Sequence, residues 1–156
     1  MRVFRDKKRF GYILAIIFGA GMILAGCGAK INYSYDLLVD FSTIKSYSWA
    51  PGSLATRQAA LIEKNVRYYA DQSLKNKGFT PTSDKPDFVI SMHYESDYYN
   101  PYNVQLLNLY VYRMQGKELI WQGTAAGTIK GIKADTASPD LAKAVKKILK
   151  NFPPKR

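Results

Sequence analysis

A single cysteine, Cys27, stands in the 156-residue chain, and that count together with its place restricts what the rest can become. No internal disulfide is possible, so any domain that follows must be held by its own apolar core. The segment before Cys27 has a different character. Arg2, Arg5, Lys7, Lys8 and Arg9 stand against Asp6 alone, and no charge occurs over residues 10–29. A cationic start, an apolar run over residues 12–24 and small residues at a junction are the physical parts of an export signal. An uncleaved transmembrane helix needs about 20 apolar residues, which this run approaches, but it leaves the position of the sole cysteine without a reason. A buried structural thiol, the common state of a free cysteine, suits the junction no better.

Leu24-Ala25-Gly26-Cys27 resembles a bacterial lipobox. The resemblance implies cleavage between Gly26 and Cys27, a diacylglyceryl group on the Cys27 sulfur, and two or three palmitate-like chains in all. One chain holds a protein marginally, whereas two or more make a stable anchor at about 0.8 kcal/mol per buried methylene. Gly28 stands where an Asp would resemble an inner-membrane retention signal, so the expected address is the periplasmic side of the outer membrane. Residues 1–26 are read as a lipoprotein signal peptide, 27–30 as the acylated N-terminus and a short tether, and 31–156 as a single domain. With only Gly28, Ala29 and Lys30 between anchor and first strand, the reach is about 10 Å at full extension.

Loss of the signal removes five of the 23 Lys and Arg and one of the 12 Asp and Glu, leaving 18 against 11, a net charge of +7. The mature length suits one domain. Ile31, Tyr33 and Tyr35 alternate with polar residues, as expected of a strand with one buried face. Tyr47 and Trp49 alternate with serines before Pro51-Gly52 stops a second strand. Residues 56–77 change to helical spacing, with Ile62, Val66, Tyr69, Ala70 and Leu74 on one stripe and Arg57, Lys64, Asp71 and Lys75 away from it. Thr56 is the expected N-cap and Gly78 the expected left-handed stop. Phe88, Ile90, Met92 and Tyr94 alternate in a third strand, and residues 104–114 and 119–126 form a hairpin through Gln115-Gly116-Lys117. Ser138-Pro139 then opens a closing helix lined by Leu141, Ala144, Val145, Ile148 and Phe152. The expected fold is an α+β two-layer domain, a mostly antiparallel sheet of about five strands with two helices on one face.

Asp40-Phe41-Ser42, Tyr47-Ser48-Trp49, Lys77-Gly78-Phe79, Pro86-Asp87-Phe88-Val89, Trp121-Gln122-Gly123-Thr124 and Phe152-Pro153-Pro154 occur in that order along almost the whole mature chain. The set resembles the uncharacterised bacterial lipoprotein family called domain of unknown function forty-one thirty-six. Met114-Gln115-Gly116-Lys117 departs from the family pattern, in which the hairpin often carries an acidic residue. The resemblance implies no catalytic residue and no cofactor.

His93 is the sole histidine, flanked on its strand face by Ser91 and Glu95. Side chains two apart on a strand point side by side, so this trio makes a poor catalytic relay. One nitrogen with neighbouring carboxylates is likewise a poor zinc site. Gly123, Gly127 and Gly131 lack the strand-to-helix context and the lysine spacing of a phosphate loop. A basic, aromatic domain would suit nucleic acid, but export removes that partner. The expected function is therefore a lipid-anchored cell-envelope module, binding or structural and not an enzyme, with no metal or cofactor. An envelope hydrolase or transferase is the alternative. Two surfaces stand out as contacts for a membrane, an envelope protein or a polymer. One is the tyrosine-rich loop over residues 96–103, carrying Tyr98, Tyr99 and Tyr102. The other is the polar side of the last helix, with Lys143, Lys146, Lys147 and Lys150, which could instead be a solvated charged face.

Overall fold

The computed structural model describes residues 28–52, 57–131 and 138–155. Strands β1 (Lys30–Tyr35) and β2 (Ser46–Trp49) flank a 3-10 turn at Phe41–Thr43 and are followed by helix α1 (Arg57–Lys75). Then come β3 (Thr80–Pro81), β4 (Phe88–Ser96), β5 (Val104–Arg113), β6 (Glu118–Ile129) and helix α2 (Pro139–Leu149). The strands form one sheet in the order β1-β6-β5-β4-β2-β3. β1, β6, β5 and β4 are antiparallel neighbours, whereas β2 lies parallel to both β4 and β3. Parallel neighbours need a crossover, and α1 supplies it between β2 and β4.

Among the described residues the α+β class with a mostly antiparallel sheet and two helices is present, with six strands where the sequence suggested about five. The added strand is Thr80–Pro81. Two residues are too few to show a period of two, and what makes them a strand is the pairing of Thr80 with Ser46 and of Pro81 with Tyr47. A second difference concerns β1, where the alternation suggested one buried face but only Ile31 is half-buried and Tyr33 and Tyr35 remain exposed. As an edge strand, β1 has a neighbour on one side alone. The expected cap Thr56 lies outside the described residues.

Register assigns the faces. Tyr47 pairs with Phe88, Ile90 with Val111, and Val111 with Trp121, so these side chains share the side against which the helices pack. α2 approaches β6 closely: a Cβ on Gly123 would come within 2.6 Å of Ile148 Cγ2, which explains a glycine inside this strand. Phe152 is fully buried at the centre of this layer, its ring 5.4 Å from Phe79, 5.5 Å from Phe88, 5.2 Å from Trp121 and 6.1 Å from Phe41. At the start of α2, Ser138 Oγ accepts from Leu141 N at 3.1 Å and donates to the carbonyl of Lys130. That cap satisfies one of the helix's orphan donors.

Asp87 ties β2 to β4. Its Oδ2 accepts from the backbone N–H groups of Lys45 and Ser46, both at 2.8 Å, and from Ser46 Oγ at 2.9 Å. Those donors hold the carboxyl below the usual carboxylate range, the Lys45 bond contributing most. The folded pKa is depressed, so the stabilisation is present above the unfolded value of about 4 and is lost as pH falls through the folded one. Asp87→Asn is expected to cost about 1–3 kcal/mol at neutral pH. Urea midpoints at pH 7 and pH 3 should differ less in the variant than in the wild type.

Candidate functional site

Ser91, His93 and Glu95 lie on the sheet face turned away from the helices, opposite Tyr110, Asn108 and Leu106 of β5. His93 Nε2 stands 3.8 Å from Glu95 Oε1, with both side chains about 60% exposed. The pair is solvated and the distance exceeds a hydrogen bond, so the trio forms no relay. Among the described residues, no group of three or more His, Cys, Asp or Glu is placed to hold a metal ion, and no helix is long and apolar enough to cross a membrane.

A polar cluster that the periodicity did not suggest lies between β2 and α1. Asp71 is half-buried, and its Oδ1 accepts from Tyr47 Oη and Trp49 Nε1, both at 2.8 Å. This corrects its placement away from the apolar stripe. Burial, then the Asp71 hydrogen bond and charge, pushes the Tyr47 phenol far above its usual range. One turn earlier, Arg67 Nη2 bonds Glu63 Oε1 at 2.6 Å and the Ala50 carbonyl at 2.8 Å, while the guanidinium stacks 5.2 Å over Trp49. Glu63 and Arg67 border a cavity of about 340 Å³ with Trp49, Gly52, Met92 and Tyr94. Burial raises the Tyr94 phenol there, with a smaller contribution from the Glu63 charge. A Cβ on Gly52 would fall 1.8 Å from Glu63 Oε1, so the backbone itself covers this carboxylate. The Glu-x-x-x-Arg spacing, with Glu63 beside Ile62 and Arg67 beside Val66, was the available signal for an ion pair on this helix. The opposite charges pair through Nη2, the arrangement of a structural bridge, while Arg67 Nε is buried without a hydrogen-bond partner.

The loop between β4 and β5 presents its tyrosines outward. Tyr98 is 92% exposed, Tyr99 93% and Tyr102 48%. The loop backbone is nonetheless firmly tied. Asp97 Oδ1 accepts from Tyr99 N at 2.8 Å and from Asn100 N at 3.2 Å, and its Oδ2 accepts from Gln105 Nε2 at 2.7 Å. These donors hold the Asp97 carboxyl below its usual range, with the Tyr99 bond the largest cause. Asn103 N donates to Asn100 O at 2.8 Å, and Gly131 N donates to Asn103 Oδ1 at 3.1 Å. A Cβ on Gly131 would collide with the Tyr102 carbonyl, so only glycine lets the end of β6 lie against this loop. Tyr98 and Tyr99 do not fold back over a sheet edge.

Gly28 and Ala29, which precede β1, lie at the same end of the sheet. Lys30 pairs with Ala126 near the close of β6, and Gly28 and Ala29 border a depression of about 280 Å³ with Ile129, Asp140, Lys143 and Lys147. Gly26 and Cys27, where the sequence suggested cleavage and lipidation, lie outside the described residues. Lys143, Lys146, Lys147 and Lys150 are all exposed and line a shallow depression of about 520 Å³ with Ser73, Asn76 and Lys77. Lys143 and Lys147 thus stand near Gly28 and Ala29. Lys150 lies past the other end of α2, about 10 Å of helix rise from Lys143.

The fold and its surfaces define a two-layer α+β domain with an ordered aromatic loop and a basic helix flank. The chain belongs to the family described as Domain of unknown function (DUF4136), whose model matches residues 31–154. It is similar in fold to a DUF4136 family protein from Bacteroides thetaiotaomicron, with 14% identity, 81% of this chain and 96% of that chain covered, and a TM-score of 0.54. A PDZ domain protein from Parabacteroides distasonis has a TM-score of 0.59 and 11% identity over 82% of this chain. The chain spans 36% of the length of that protein. The PelC dodecamer from Paraburkholderia phytofirmans has a TM-score of 0.51 and 12% identity, with 78% of this chain and 94% of that chain covered. At these identities the likeness is one of fold. No curated protein matches the chain.

The residues that carry the family resemblance are builders of the fold. Asp40 caps the 3-10 turn through Ser42 N at 3.0 Å, Asp87 joins β2 to β4, Gly78 has a φ of +83°, and Phe79, Phe88, Trp121 and Phe152 meet in the core. None of these motifs assembles a reactive centre.

Proposed function

We propose that this chain is a lipid-anchored protein of the bacterial cell envelope, held by acylated Cys27 on the periplasmic side of the outer membrane. Residues 1–26 serve as the signal peptide, 27–30 as the acylated tether, and 31–156 as a binding or structural module with no chemistry of its own. Its contacts are the membrane and an envelope protein or polymer, not nucleic acid. The single observation that carries the reading is Leu24-Ala25-Gly26-Cys27 after a basic and then apolar segment, with the first strand opening only three residues beyond the cysteine. The alternative, an envelope hydrolase or transferase, draws no support from His93, which stands solvated beside Glu95.

Cys27→Ser is expected to leave an uncut precursor and to abolish incorporation of labelled fatty acid, because serine supplies no thiol for the diacylglyceryl group. Gel mobility and acyl labelling in growing cells read both effects. Normal cleavage and labelling of the variant would remove the lipoprotein reading.

A further inference from the structure

We propose that the loop carrying Tyr98, Tyr99 and Tyr102 is a second foothold on the bilayer, seated in the headgroup layer of the leaflet that holds the acyl chains of Cys27. The proposal rests on the lipid-anchor reading and adds to it an orientation for the domain.

Placement is the first argument. Val104, which ends the loop, pairs with Ile129 at the close of β6; Asn103 Oδ1 holds Gly131 N; and a Cβ on Gly127 would sit 3.5 Å from Ala29 Cα. Loop, strand end and tether therefore form one continuous end of the domain. In the sheet order, β5 lies two strands and β4 three strands from β1, so the loop stands about 10–14 Å to the side of the tether.

Reach is the second. Two residue steps separate Ala29 from Cys27, a span of about 7 Å even when extended. A domain tied that closely must turn this end toward the membrane, and the other end of the sheet, at Met114 to Lys117, away from it. An acyl anchor alone leaves the domain free to swivel about one point. A second contact beside it fixes the tilt.

The third argument is chemical. Two rings more than 90% exposed gain little from water, whereas tyrosine is enriched at membrane interfaces because its ring is apolar and its hydroxyl is wet. The rings are presented on a prearranged backbone, so little loop entropy is lost on docking. Exposed Lys30 and Lys130 share this end of the sheet, and Lys143 and Lys147 border the tether, cations suited to anionic headgroups. Asp140 is the carboxylate beside them, while the Asp97 charge is engaged by its three donors.

The test uses the full acylated protein in vesicles of phosphatidylethanolamine and phosphatidylglycerol. Because acylation occupies the Cys27 sulfur, a thiol introduced by Tyr98→Cys is the sole site for a spin label, and Gln115→Cys in the β5–β6 turn is the control. The ratio of collisions with oxygen to collisions with a water-soluble nickel chelate is expected to be several-fold higher at position 98 than at 115. Adding Tyr99→Ser and Tyr102→Ser to the first label should return it to the aqueous ratio with Tm unchanged. An aqueous ratio at position 98 on protein whose N-terminal peptide carries the acyl mass would overturn this inference alone. Absence of the acyl mass would remove the anchor reading and this inference with it.

Discussion

Phe152→Ala is expected to lower the stability of the domain by about 3–5 kcal/mol, the range for truncating a buried aromatic ring. The ring is fully buried and stands within 5.5 Å of the rings of Phe79, Phe88 and Trp121. Those three come from separate parts of the chain, the segment between α1 and β3, β4 and β6, so the cavity cannot close by moving one neighbour. Part of the loss is transfer free energy, and part is the favourable aromatic geometry, worth about 0.5–1.5 kcal/mol per pair. Against a typical total of about 5–15 kcal/mol, such a loss leaves the domain close to unfolding. Urea unfolding followed by tryptophan fluorescence checks it. Phe152→Leu should lose clearly less, since it restores most of the apolar volume; equal losses would remove the cavity from the account and leave ring geometry alone.

Lys77→Met is expected to cost about 2–3 kcal/mol although Lys77 lies at the surface. Its ammonium donates to the carbonyls of Leu149 at 2.7 Å, Lys150 at 3.3 Å and Phe152, which belong to the unsatisfied end of α2. A cation at a helix C-terminus is favoured by the helix dipole as well. Methionine keeps the apolar stem and removes the donors, so the loss should appear first as faster hydrogen exchange over residues 145–152. The ammonium is held below the usual lysine range by burial, and secondarily by Lys155. The two effects oppose one another at neutral pH: the donated bonds hold the helix end, while burying the charge costs part of that gain, so wild-type stability rises with pH between the folded value and the unfolded value of about 10.4. Lys77→Met should lack that rise. An unchanged exchange profile would show that water replaces the ammonium at these carbonyls.

Much of the fold was legible along the chain because its signals are local. The α1 stripe of Ile62, Val66, Ala70 and Leu74 is buried as its spacing indicates, and Ser138-Pro139 caps and opens α2 as those residue types do. The hairpin joining β5 to β6 has positive φ at Gly116 and Lys117, though its turn covers four residues where three were expected. Asp71 misled because a carboxylate on a helix normally seeks water, while here it meets Tyr47 and Trp49 from a strand more than twenty residues earlier. Glu63 was missed for the same reason, since its burial depends on Arg67 and on the backbone at Gly52. The tyrosine loop was recognisable by composition. Its outward presentation follows from Asp97, Asn100 and Asn103 fastening the backbone, and its nearness to Gly28 and Ala29 from the order of strands.

By itself the sequence determined the lone cysteine after an uncharged run, the types of the main elements, the two apolar faces of the helices, and membership of the family. Periodicity, caps and short motifs are properties of neighbouring residues, and they survive in one dimension. Only the tertiary structure decided that β1 takes an edge beside β6, that β2 enters parallel to β4 with the two-residue β3 outside it, and that Lys77 closes a helix end more than seventy residues further on. It also brought Gly28 and Ala29 and the tyrosine loop to one end of the sheet. Such pairings are selected by which strand edges and apolar faces fit together at once, a condition on the whole chain that no single stretch of it encodes.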